Sequence, residues 1–459
     1  MKNKFELLAH LKDKDILIKK DKTYFVKFNL FSLFRINDII IEKKDNSNIL
    51  ILKNDQVIFQ YWVEQDLFIP PWQTHWFQLK DSFLLKLKDN LLNEFLNKAI
   101  KNAGNLNKLC KYLDMSSPTF YNLTKNRIKM VSVKKLRRLL DYLNISYLNI
   151  NNKIEYTKKG PQISIENPKF PIDLNSKCGA SLLGAIVSDG CIYVDKKARG
   201  VIRTKYSTSE EESISHFIDS INRTYGKVYI QKEIVRNCII IKIGSSIIGE
   251  TLFKVGAILG HKAKVNGGAP WFIKLCPKDL IRYYLQSVFS DEASIYLAKK
   301  HYQSYIILSR YKHLKNITRK GQKYLLKLER EMISRRFPTG HINKSISIKK
   351  VLNDVNKESE FKTLLNCAPK LLLDESRLLN DFGIDNRIWG RSLNKTHKGN
   401  YSVCFDLFIN KKDSILKFYK EIGFSLTNKQ EKLIKLIDNR VIKDDLKTIQ
   451  YTNKKNRSI

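Results

Sequence analysis

The apolar positions of this chain change their period three times. Over residues 1–95 they fall in short alternating runs, Ile16-Leu17-Ile18, Tyr24 to Phe28, Ile49 to Leu52 and Val57 to Trp62, and these predict a β-rich N-terminal region of no assignable role. From about Leu91 to Ile150 the spacing becomes helical. Asn105 to Leu113 predicts one short helix, Asp114-Met115 a turn, and Ser116 to Leu123 a second helix with Ser116 as N-cap and Pro118 in its first turn. Ser132 to Leu143 predicts a third, with basic residues set between the apolar ones. Residues 151–170 are polar, carry Gly160-Pro161 and Pro168, and suit a linker.

Beyond the linker one order of elements runs twice. Asn175-Ser176 can cap a helix from about Lys177 to Asp189, and Val201 to Ser207 reads as a strand. Ser209 to Glu212 reads as the capping box of a helix that Gly226 ends after Tyr225. Two strands (Gly226 to Val235, Cys238 to Ile243) and a helix from Ser245 to Gly260 complete the first copy, 171–275. After Pro270-Trp271-Phe272-Ile273 the order restarts in 276–440: a helix from Pro277 to Glu292, a hairpin over Ala293–Ala298 and Ser304–Ser309, a helix from Leu371 to Phe382, a strand from Tyr401 to Ile409, and a helix from Asp413 to Ile422. The period is roughly one hundred residues. A charged helical insertion over about 311–368 lengthens the second copy, and 441–459 form a polar, basic tail.

The two leading helices share a design. Leu182-Leu183-Gly184-Ala185-Ile186-Val187-Ser188-Asp189-Gly190 and Leu285-Gln286-Ser287-Val288-Phe289-Ser290-Asp291-Glu292-Ala293 each place a small residue five positions before an acid and an Ile (Ile192, Ile295) three after it. Small residues let helices approach. Ser181, Gly184 and Ser188 share one face, and if Gly184 packs near Ser287 then Asp189 and Glu292 emerge side by side. Two such carboxylates repel unless one takes a proton or a divalent cation sits between them. Asp291 neighbours Glu292, so a register shift would make Asp291 the ligand. The spacings around Glu292 copy those around Asp189, which favours Glu292.

Charge narrows the partner. Lys and Arg number 83 against 45 Asp and Glu, a net +38 that draws a polyanion, nucleic acid first. The seven cysteines are scattered with no CxxC pair and the eight histidines show no paired zinc spacing, which suits a reduced, intracellular chain without structural zinc. There is no signal-peptide core, and no apolar run approaches the ~20 residues of a membrane span. The expectation is a soluble, cytoplasmic, DNA-associated monomer with no membrane partner.

On these motifs, 175–436 resembles a monomeric, two-repeat LAGLIDADG homing endonuclease, and 100–146 resembles a repressor-type helix-turn-helix. Ala269 to Ile273 and Leu416 to Phe424 support the first resemblance. It implies an α+β fold: two pseudo-symmetric αββαββα repeats forming a DNA-binding saddle, preceded by the helix-turn-helix at 96–150. It implies Mg²⁺ (or Mn²⁺) held at Asp189-Gly190 and Glu292-Ala293, and one cut per acid-bearing helix end in double-stranded DNA. It also implies a catalytic basic residue near the end of each fourth strand, close to the scissile phosphate: the second copy supplies Lys411, and the first has Ser245 in the comparable place. Gly184, Ser188 and Ser287 would form the helix interface. Arg203, Lys205, Tyr229, Gln231 and Lys242 of the first copy, and Tyr296, Lys299 and Tyr305 of the second, would meet DNA on the strands. The second resemblance implies that Ser117, Thr119, Tyr121 and Asn122 face bases while Lys125 and Arg127 meet phosphates. Departures are Ser287 for Gly and Ala293 for Gly, the latter strained if that position needs a positive φ. Two alternatives use the same scaffold without cutting: a DNA-binding transcriptional regulator, and an RNA maturase acting on intron RNA. With no terminal His-Asn followed by a nucleophile, an intein origin is not expected.

Overall fold

The computed structural model describes residues 17–20, 23–27, 33–35, 39–43, 48–53 and 56–62, then 67–438 apart from 160–161, 197–200, 236, 299–303, 315–318, 337–341, 350, 352–364, 366 and 397–398. The fold is α+β and divides into two compact units. The first comprises Met1–Leu182, Ile192–Gly256 and Leu275–Leu280; the second comprises Leu183–Cys191, Ala257–Lys274 and Ile281–Ile459.

In the first unit, the N-terminal strands form two antiparallel meanders, one of Leu17–Lys20, Thr23–Lys27 and Leu33–Arg35, the other of Ile39–Lys43, Asn48–Lys53, Gln56–Trp62 and Leu67–Ile69. Four helices follow: α1 (Leu91–Ala103), α2 (Leu106–Tyr112), α3 (Ser117–Thr124) and α4 (Val133–Tyr142). Three are started by side chains that accept backbone N–H groups: Asn105 from Asn107 and Lys108, Ser116 from Thr119, and Ser132 from Lys135. Leu92, Leu96, Leu109, Phe120, Leu123, Leu136 and Leu140 are buried.

The segment 151–170, whose texture suggests a linker, is instead built into a sheet. Ile154–Lys159 and Gln162–Glu166 pair with each other in a five-stranded sheet ordered 131–132, 84–87, 154–159, 162–166, 227–228. Ile154, Thr157 and Ile165 are buried. Their spacing is too sparse, and the Lys residues between them too frequent, to show as a strand pattern.

The first copy runs α5 (Lys177–Val187), β1 (Gly190–Asp195), β2 (Val201–Thr208), α6 (Glu211–Tyr225), β3 (Ile230–Val235), β4 (Cys238–Ile243) and α7 (Ser246–Lys254). Its sheet order is β1-β2-β4-β3. Tyr206 of β2 stacks on Phe217 of α6 with ring centroids 4.3 Å apart, and Ile241 and Ile243 are buried. The capping box expected at Ser209 does not form: Glu210 is the N-cap without a side-chain cap, and the Thr208 hydroxyl accepts the Glu210 N–H at 3.2 Å.

The second unit continues with α8 (Lys262–Val265), α9 (Lys278–Glu292, from Ile281 on), β5 (Ala293–Tyr296), β6 (Tyr305–His313), α10 (Arg319–Glu329), β7 (Ile333–Arg336), β8 (Ile342–Ser347), α11 (Lys370–Asp381), β9 (Arg387–Lys395), β10 (Tyr401–Ile409) and α12 (Lys412–Glu421), closed by a helix at 427–438. The sheet order is β5-β6-β10-β9-β8-β7. Its first four strands repeat the order of the first copy's sheet. The insertion expected to be helical holds α10 and, among the described residues, also β7 and β8, which add to the sheet edge with Lys344 opposite Lys395 and Ser347 opposite Ser392. Ile346 of β8 and Ile348 just after it are buried in a charged stretch whose composition reads as helix. Phe289, Phe418 and Phe424 form a chain of rings in this unit's core, 5.1 and 5.3 Å apart.

Candidate metal centre

The ends of α5 and α9 build the centre from residues of the second unit. At Gly184 a Cβ would lie 2.5 Å from the Tyr284 carbonyl oxygen and 2.7 Å from the Ser287 Cβ, so the helices touch backbone to backbone where only Gly fits. The Ser188 hydroxyl, one turn on, donates to the Asp291 carboxylate and lies near the Gly184 and Ala185 carbonyls at 2.9 and 3.2 Å. Gly184, Ser188 and Ser287 thus come together. Neither Gly190 nor Ala293 has a positive φ, so Ala in place of Gly carries no backbone strain.

Asp189 sits at this crossing with like charges. Burial first, then Asp291 and Glu292, push its carboxyl up from 3.8 to about 7, opposed by Lys262 and Lys429. No hydrogen bond enters that balance. Glu292 is placed differently: its carboxylate is held by the Arg310 guanidinium of β6. Arg310 also grips Glu375 of α11 with both arms of its fork, at 2.5 and 3.2 Å. Its side chain is 7% exposed and that of Glu375 0%. Burial disfavours the Arg310 charge, but Glu292 and Glu375 outweigh it and hold the proton on.

Two lysines cap the acid-bearing helix ends. Lys262 donates to the Val187 carbonyl at 3.0 Å and to that of Ser188; burial lowers its pKa, while Glu292 and Asp189 act to raise it. Lys429 donates to the carbonyls of Ser290, Asp291 and Ala293 at 2.5, 3.2 and 2.8 Å. Each satisfies carbonyls that a helix end leaves open and lies near the acids. Lys262, Lys429, Arg310 and Glu375 escape a reading of local motifs. The lysines had one signal: each follows a glycine (Gly256, Gly423) by six positions after the last helix of its copy. Arg310 and Glu375 had none, being 65 residues apart.

Lys411 lies elsewhere. It is the N-cap residue of α12 and its ammonium pairs with Asp385 at 2.8 Å, and it is not among the charges acting on Asp189. Among the described residues no group of three or more Asp, Glu, His or Cys side chains forms a ready-made cation cage. A magnesium-type ion does not need one, since it binds through one or two carboxylates and keeps several waters. The half-buried Asp189, crowded by negative charge and free of hydrogen bonds in its charge balance, fits such an ion, with Asp291 beside it.

Other expected residues fall on two surfaces of the first unit. On the sheet, Lys205 pairs with Lys242 and Lys242 with Gln231, so the three share one face, as does Arg203 two residues along β2, while Tyr229 lies just before β3 with its carbonyl accepting the Gly244 N–H at 3.5 Å. Arg203 is held by Asp195 at 3.1 Å and the Gly244 carbonyl at 2.7 Å, and Lys242 pairs with Glu233. On α3, Ser117 is exposed, Tyr121 is 51% exposed, and Lys125 and Arg127 lie over the Tyr121 ring at 5.8 and 5.7 Å. Thr119 bonds the Ser116 hydroxyl at 2.8 Å, and Asn122 is half-buried. In the second unit Tyr296 stacks on Tyr305 at 5.0 Å, while Lys299 lies outside the described residues. Exposed Trp389 and Arg387 of β9 join that sheet's surface and were not anticipated. No helix among the described residues is long and apolar enough to cross a membrane.

No protein-family model and no curated protein matches this chain. Solved structures do. The crystal structure of I-DmoI in complex with DNA and calcium is 16% identical, covers 55% of this chain and 91% of its own, and has a TM-score of 0.29. I-DmoI, elsewhere described as a homing endonuclease, in complex with DNA and manganese is 15% identical over 55% of this chain and 97% of its own at a TM-score of 0.30. Full-length DUF199/WhiA of Thermotoga maritima is 15% identical over 61% of this chain and 69% of its own at 0.28. These identities are too low to transfer any residue's role.

Proposed function

We propose that this chain is a divalent-metal-dependent endonuclease acting at a specific site in duplex DNA. The observation that carries the reading is Asp189: a half-buried carboxylate at a Gly-tight helix crossing, beside two more acids and two helix-capping lysines. Mg²⁺ or Mn²⁺, if bound there, would polarise a phosphate and lower the pKa of a bound water. The chain's own part is to place and balance charge. Asp189, with Asp291 fixed by Ser188, would hold the ion. Lys262 and Lys429, bonded to the helix-end carbonyls, would act at a distance as positive charge beside the acids as water adds to phosphorus, passing its proton to the ester oxygen that leaves. The net +38, the exposed face of α3 and the Arg203–Lys205–Lys242 face of the first sheet supply the duplex-binding surface.

Purified protein, Mg²⁺ and DNA cloned from around its gene test this. Cleavage is expected, abolished by EDTA and by Asp189→Asn; cutting that survives either sinks the reading. A second reading, a regulator that binds DNA without cutting, is favoured by one observation, the Arg310 guanidinium held on Glu292. It requires the same DNA affinity and footprint in EDTA as in Mg²⁺, and no cleavage.

A further inference from the structure

Each of the repeated helix ends carries an acid that could hold an ion of its own. Asp189 and Glu292 are not equivalent. We infer that Arg310 is a built-in counter-cation held on the Glu292 carboxylate, so that the centre takes one divalent ion, at Asp189, rather than two. The inference rests on the metal-dependent reading above and sharpens it.

Three observations carry it. The guanidinium bridges Glu292 and Glu375, and its side chain is 7% exposed, so it is part of the core and not a mobile surface charge. Arg310 cannot leave for an incoming ion without stranding Glu375, which is 0% exposed and accepts both arms of the fork. Nor can it become neutral, since a guanidinium keeps its proton in proteins. A second ion at Glu292 would therefore share its carboxylate with a fixed positive charge. Among the described residues the first helix end has no such guanidinium: the cations acting on Asp189 are Lys262 and Lys429, and both donate to backbone carbonyls. A guanidinium has donors but no acceptor, so at Glu292 it can hold charge and cannot deliver an activated water.

Mn²⁺ alone, titrated into the full metal-free chain at low salt and counted by electron paramagnetic resonance, tests the stoichiometry. One bound ion is expected in the wild type and none in Asp189→Asn. Two ions in the wild type overturn the inference and leave the metal-dependent reading standing; no ion overturns both. The double variant Arg310→Met, Glu375→Leu removes the guanidinium together with the acid it would strand, and is expected to bind a second Mn²⁺. A folded double variant that still binds one ion overturns the role given to Arg310, and if it does not fold the wild-type count decides.

Discussion

Replacing Asp189 by Asn should stabilise the metal-free protein, and the gain should grow with pH. Burial, then Asp291 and Glu292, raise the Asp189 carboxyl from 3.8 to about 7 in the folded chain. Below 3.8 both states hold the proton and nothing is lost. Between 3.8 and 7 the unfolded chain releases its proton first, so folding stability falls as pH rises, and above 7 the loss levels off. At about 1.4 kcal/mol per pH unit the ceiling is roughly 4 kcal/mol, of which roughly 3 lies between pH 5 and pH 8.5. Asn has the same shape and no charge, so it removes that cost. Urea unfolding of the two proteins in EDTA at pH 5 and pH 8.5, followed by tryptophan fluorescence, reads the difference directly. Adding Mn²⁺ at pH 8.5 should narrow the gap, because an ion bound by the folded wild type stabilises it by mass action. An equal gain at both pH values, or a loss at both, would refute the charge-crowding argument.

Gly184→Ala should cost about 1–3 kcal/mol, since its Cβ meets the Tyr284 carbonyl and Ser287, and Ser287→Gly added to it should recover part of the loss in thermal unfolding. Lys429→Met removes three charge-assisted hydrogen bonds at the end of α9 and should lower stability by about 1.5–3 kcal/mol and slow metal-dependent cleavage, measured on the same preparation. Lys125→Ala with Arg127→Ala should weaken DNA binding evenly across sequences and reduce the slope of log affinity against log salt by about 2, read by fluorescence anisotropy. With a single ion at Asp189, supercoiled plasmid carrying the target should accumulate as open circles cut in one strand; prompt linearisation by one chain contradicts that.

The helices were legible because small and apolar residues recur at helical spacing: Leu182 to Gly190 and Leu285 to Ala293 announce both acid-bearing ends. Strands were legible where burial on both faces leaves a nearly continuous apolar run, as in Tyr401 to Ile409. They were not legible where charge covers both texture and turn. Arg387 to Lys395 puts Arg387, Trp389 and Arg391 on its exposed side, with Gly390 set among them, and shows no strand pattern although it pairs along its length with β10. Lys158-Lys159-Gly160-Pro161 hides two paired strands in the same way. At the centre, sequence brought forward the residues that one helix carries in series. It could not bring forward Arg310 and Glu375, because a buried ion pair between distant elements leaves no local period, and the same holds for the capping lysines except for their shared distance from a glycine.

The sheet that replaces the supposed linker has one further result. Strands 84–87 and 154–159, which enter and leave the helical segment, pair with each other, and 162–166 pairs with 227–228 beside the first copy. The helical segment is therefore clamped within the first unit at both its ends instead of swinging on a leash. Under the proposed function, α3 and the β1–β4 face would read two stretches of one duplex at a set rotational phase. Inserting about five base pairs between those stretches would turn one of them to the far side of the double helix and cost binding, and inserting about ten would bring it round again.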